Sequence, residues 1–135
     1  MARSRTRVVL GIFGLDQHDF GAKVVSAILR DAGMEVVYLG SFQTAETVVQ
    51  AAIEEDADVI GMSCHSWEYL GYTRELISLL REKKLDIAVV IGGGTISEAD
   101  ESSLRAMGVS DVLTPGATAE EIVHSIQRVA ARPAS

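Results

Sequence analysis

Short apolar runs alternate with longer amphipathic stretches five times over, and few folds accept that pattern. Residues 8–13, 36–39, 58–63, 87–91 and 111–113 read as strands. Each is nearly continuous in apolar residues, as in a strand buried on both faces. Between them, residues 20–32, 69–84 and 98–107 carry apolar side chains at helical spacing, for example Val24, Val25, Ile28 and Leu29. Thr44 is placed to cap a second helix, and Thr118 to cap a last one that runs to about residue 130. Gly33 closes the first helix, where a residue free to take positive φ is useful.

Five β/α units with helical crossovers make a parallel sheet covered on both faces. The expected fold is a flavodoxin-like, doubly wound sheet of order 2-1-3-4-5, with a Rossmann half as the alternative. At 135 residues the chain is expected to form one domain, with residues 1–6 and 131–135 as flexible ends. Ligands of such sheets sit beyond the carboxyl ends of the strands. Here that edge is made by residues 14–21, 40–44, 63–68, 92–96 and 114–117.

Composition excludes several functions. A net charge of -7 argues against a nucleic-acid surface. Apolar runs fall short of the roughly 18 residues of a membrane span. Cys64 is the sole cysteine, so no internal disulfide forms, which suits a reducing cytoplasm.

The loop after the first strand carries Asp16, Gln17, His18 and Asp19, followed by Phe20, Gly21 and Lys23. An imidazole nitrogen is a good transition-metal ligand, and a carboxylate on its other nitrogen fixes the ring. Asp16, two residues before His18, can take that position. Gly21 lets the backbone approach a large flat group. The plainer alternative leaves His18 and Asp19 solvated, with Asp19 capping the next helix. A zinc site from His18, Cys64 and His65 lacks a fourth ligand and recognisable spacing. A phosphoacceptor receiver, which shares the fold, needs an Asp where the third strand ends in Ser63 and a Lys where the fourth gives way to glycines. Flavin binding also suits the fold, but nothing in the Asp-x-His loop cradles a phosphate.

Asp16-x-His18-x-x-Gly21 resembles the Asp-x-His-x-x-Gly motif of cobalamin-binding domains, and most closely those of methylmalonyl-CoA mutase relatives. Other landmarks follow in register: Ala22-Lys23-Val24-Val25, Phe42-Gln43-Thr44, Gly92-Gly93-Gly94, Gly108-Val109-Ser110 and Thr114-Pro115-Gly116-Ala117. Together they cover nearly the whole chain. The resemblance implies a base-off, His-on cobalamin. His18 would be the lower ligand to cobalt and Asp16 its orienting partner, with Lys23 either extending that relay or simply on the surface. Ser63 would contact the dimethylbenzimidazole of the nucleotide tail. Gly92, Gly93 and Gly94 would let the tail lie against backbone, and Thr114, Pro115 and Gly116 would close the slot. Alone, these glycines read equally well as a strand-to-helix turn.

The sequence departs from that family at Gln17 and Phe20, and at Ser63-Cys64-His65, where the family has Ser-x-Leu. His65 then contacts the tail or a corrin amide, or faces solvent. Trp67 and Tyr69 cover the slot, dock a partner or serve as core residues. His124 has no assigned role.

With no helical bundle or DNA-binding domain before the first strand, the resemblance implies the separate small subunit of an adenosylcobalamin-dependent acyl-CoA mutase. Such a subunit would be inactive alone and would work with a large TIM-barrel subunit that binds the acyl-CoA, in a heterotetramer. A glutamate-mutase-like small subunit and a free-standing cobalamin carrier or chaperone are the alternatives. Which CoA ester is rearranged is not legible in the residues.

Overall fold

The computed structural model describes residues 5–13, 20–64, 69–93, 96–114 and 116–130, and of Phe20 the backbone only. Five strands and five helices alternate through it: β1 (Arg7–Phe13), α1 (Phe20–Asp31), β2 (Glu35–Gln43), α2 (Ala45–Glu55), β3 (Val59–Ser63), α3 (Tyr69–Glu82), β4 (Ala88–Gly92), α4 (Glu98–Met107), β5 (Asp111–Leu113) and α5 (Ala119–Ala130). All strand pairs are parallel, in the order β2-β1-β3-β4-β5. That is the expected doubly wound arrangement.

Local chemistry sets the helix ends where the sequence marked them. The Thr44 hydroxyl accepts from the Thr47 N–H, and the Thr47 hydroxyl accepts from the Thr44 N–H, a reciprocal capping box. Thr118 and Glu121 repeat the pattern at α5. Ser97 caps α4 through the Asp100 N–H. Gly33 takes φ 91° after α1, and Met34 N–H donates to Leu29 C=O at 3.1 Å, closing the last turn.

One expectation is corrected. The second strand does not end at Leu39; it runs to Gln43. Glycine and polar residues from Gly40 onward suggested a loop, but the strand continues by bulging. β1 advances from Leu10 to Gly11 while β2 advances from Tyr38 to Gly40, and from Gly11 to Phe13 while β2 advances from Gly40 to Gln43. Gly40 at φ 80° and Phe42 at φ 66° absorb the two extra residues.

The sheet has two unlike faces. Against α2, α3 and α4 it presents large side chains along its full height, including Val9, Phe13, Ile60, Met62, Val89 and Ile91. Full burial of each contributes roughly 1.5–3 kcal/mol. Against α1 and α5 the amino-terminal half is equally filled, by Val8, Val59, Ala88 and Val90 with Leu29, Ile126 and Val129. Toward the carboxyl ends of β3 and β4 the side chains shrink, whereas β1 keeps Leu10 and Ile12 on that face. β3 steps from Val59 to Gly61 to Ser63, and β4 from Val90 to Gly92, because alternate residues share a face.

Candidate functional site

That shrinkage leaves a slot of about 280 Å³ between the carboxyl half of the sheet and helices α1 and α5. Its floor is Gly61, Ser63 and Gly92, and its walls include Ala22, Val25 and Leu29 from α1 and Ile122 and Ile126 from α5. Thr114, Gly116 and Ala117 line the end beyond β5. The lining is mostly apolar, with the hydroxyl-bearing Ser63 and Thr114 as its polar members. At corresponding levels on the opposite face stand the larger, buried side chains of Met62 and Ile91.

Glycine keeps the slot open. A Cβ on Gly61 would come within 2.9 Å of Leu10 Cδ1, and one on Gly92 within 3.6 Å of Leu113 Cβ. Gly93 is required for another reason: a Cβ there would lie 1.8 Å from the Cys64 carbonyl oxygen. The end of β3 is drawn that close by the Cys64 N–H, which donates to Gly92 C=O at 2.8 Å.

Of the residues singled out in the sequence, Gly21, Ser63, Gly92, Gly93, Thr114 and Gly116 all line this one slot. Asp16, Gln17, His18, Asp19, His65, Gly94 and Pro115 lie outside the described residues, as does the side chain of Phe20. The segment that carries His18 leaves β1 at Phe13 and enters α1 at Phe20, next to Gly21 and Ala22 of the slot wall. Lys23 is exposed on α1. Gly61 was missed, although a glycine inside the buried run Val59-Ile60-Gly61-Met62 is itself a sign of close approach.

Tyr69 is a core residue rather than a slot cover. It is 2% exposed, packs on the opposite face, and donates its hydroxyl to Asp100 at the start of α4. Burial, and then the Asp100 carboxylate, push its hydroxyl pKa well above the usual tyrosine value. It therefore stays protonated and tethers α3 to α4. Among the described residues no cluster of three or more His, Cys, Asp or Glu side chains is arranged to hold a metal ion. A ligand with an apolar, flat end suits the slot, which is floored by glycine, walled by apolar side chains and carries the hydroxyls of Ser63 and Thr114.

Comparison with known proteins places this geometry. The model of the B12 binding domain matches residues 6–124. The pivalyl-CoA mutase small subunit of Xanthobacter autotrophicus is 46% identical over 120 residues, 89% of this chain and 80% of that protein. The 2-hydroxyisobutanoyl-CoA mutase small subunit of Aquincola tertiaricarbonis is 42% identical over 135 residues, 99% of each chain. Among solved structures, a cobalamin-binding protein from Desulfitobacterium hafniense superposes with a TM-score of 0.80 at 26% identity, over 93% of this chain and 60% of that one. With its glycine-floored slot at the carboxyl edge of a 2-1-3-4-5 sheet, the chain belongs to the B12-binding domain family.

Proposed function

We propose that this chain is the cobalamin-binding small subunit of an adenosylcobalamin-dependent acyl-CoA mutase, and that it works in the cytoplasm with a separate large subunit. The observation that carries the reading is the slot floored by Gly61, Ser63 and Gly92 and walled by Ala22 of α1, the helix that follows Asp16 and His18 in the sequence. Likeness over 99% of both chains to a protein that is itself a mutase small subunit supports the small-subunit reading.

In this reading the slot would hold the nucleotide tail of a base-off cobalamin. Ser63 would offer its hydroxyl to the dimethylbenzimidazole, Gly92 and Gly93 would let the tail lie against backbone, and Thr114, Pro115 and Gly116 would close the far end. His18 would serve as the cobalt ligand and Asp16 would hold its other ring nitrogen, setting the tautomer and the ligand's basicity. Gln17, Asp19, Phe20, Gly21 and His65 would add further contacts to the cofactor. Bound adenosylcobalamin supplies radical chemistry, which the protein directs by orientation and electrostatics. The substrate-contacting groups belong to the large subunit, a TIM barrel in a heterotetramer, so the small subunit alone is inactive.

Electron paramagnetic resonance on the protein with cob(II)alamin carrying ¹⁵N-labelled dimethylbenzimidazole tests the reading. The expected pattern is a ¹⁴N triplet from a protein nitrogen, lost in His18→Ala. A ¹⁵N doublet in the unmodified protein would show the tail still on cobalt and remove the His-on assignment.

A further inference from the structure

Phe42 combines two features that folding alone does not explain. Its side chain is 60% exposed, more than any other described large apolar residue. Its backbone sits at φ 66°, the left-handed region that a bulky residue rarely adopts. The conformation is held from both sides. The Gln43 side-chain amide donates to Leu39 C=O at 3.1 Å and to Ser41 C=O at 3.2 Å, and its Oε1 accepts from the Thr47 hydroxyl at 2.9 Å. Thr47 is anchored in turn by the capping box of α2. Strained residues persist where their surroundings over-determine them, and β-bulges next to binding sites re-aim side chains.

The position of Phe42 in the sheet is informative. Its neighbour Gln43 pairs with Phe13, the last residue of β1. Phe42 therefore stands beside the point where the chain departs into residues 14–19. A corrin macrocycle is wider than one inter-strand spacing of about 4.8 Å. Held on the segment leaving β1, it would reach the end of the neighbouring strand, and its methyl-rich periphery would bury an apolar ring that water now covers.

We propose that Phe42 is a cobalamin-contact residue whose ring packs against the corrin, kept in place by the strained bulge and the Gln43–Thr47 brace. This rests on the function proposed above. Hydroxocobalamin is titrated into the full chain and into Phe42→Gly, Phe42→Asn and Phe42→Leu. Glycine and asparagine accept positive φ, so these two variants should melt no lower than the parent protein. Their Kd for hydroxocobalamin should rise about tenfold as the ring's burial is lost, and that of Phe42→Leu should rise less. In ring-labelled parent protein, one of the three phenylalanine signal sets, identified by its absence from Phe42→Leu, should shift on adding hydroxocobalamin. An unchanged Kd in the glycine and asparagine variants, with an unshifted Phe42 ring, overturns the assignment and leaves the ring to a protein partner. If the parent protein binds no hydroxocobalamin, the proposed function fails together with it.

Discussion

Single glycines carry much of this structure, and they do so for different reasons. At Gly93 the Cys64 carbonyl occupies the space of a Cβ, and it cannot retreat without breaking the bond from Cys64 N–H to Gly92 C=O. Gly93→Ala should therefore cost more than about 4 kcal/mol or abolish folding, read by urea denaturation. At Gly61 the obstacle is only the tip of the Leu10 side chain, which can move. Gly61→Ala should change stability by less than about 1.5 kcal/mol. It should nevertheless weaken binding of cobalamin and spare that of cobinamide, which has no nucleotide tail. Equal weakening for both corrinoids would sink the assignment of the slot to the tail. The sequence marked Gly92 and Gly93 because they stand together after a strand, whereas Gly61 hides inside one.

At the scale of elements, the caps were legible and the bulge was not. Thr44 and Thr118 act on backbone N–H groups three residues away, so their role is a local matter. The run of β2 to Gln43 depends on pairing with β1, which no local pattern encodes. The anchoring of α4 and α5 is similarly non-local. The Asp111 carboxylate, on β5, accepts from the Ser125 hydroxyl and meets Arg128 on α5 at 2.9 Å and Arg105 on α4 at 3.1 Å. Burial would raise its pKa, but the bonds from Ser125, Val112 N–H and Arg105, with the charge of Arg128, outweigh it and hold it below the usual carboxylate value. A depressed folded-state pKa stabilises the fold above the unfolded value of about 3.9, and that contribution is lost as pH falls through the folded value. Thermal melts should therefore fall below about pH 4, and Asp111→Asn should show a shallower fall. Parallel curves for the two proteins would remove Asp111 from that role.

Across the whole molecule, charge follows the helix dipoles. Acidic side chains occupy first turns, at Glu46, Glu98, Asp100, Glu101, Glu120 and Glu121, and arginines occupy last turns, at Arg30, Arg81, Arg105 and Arg128. Every helix starts at the carboxyl edge of the sheet, to which α2, α4 and α5 bring acidic first turns and α1 and α3 bring none. A ligand that fills the slot also replaces core packing that α1 and α5 lack at that end. Cobalamin at about 100 times its Kd should stabilise the chain by about 2.7 kcal/mol and raise the melting temperature by roughly 10 °C. Cobinamide at the same multiple of its own Kd should match that rise, and at equal concentration it should fall short; no shift with cobalamin would argue against binding to the folded chain. The sequence alone determined the β/α alternation and the caps at Thr44 and Thr118, because hydrophobic period and capping are read from neighbours along the chain; it left the strand order open between 2-1-3-4-5 and a Rossmann half, and the structure settled it. Only the tertiary structure decided that Gly61, Ser63 and Gly92 share one face and open a slot, that β2 bulges to present Phe42, and that Asp111 joins three elements. Each of these depends on what distant segments place across the sheet, and local sequence carries no record of that.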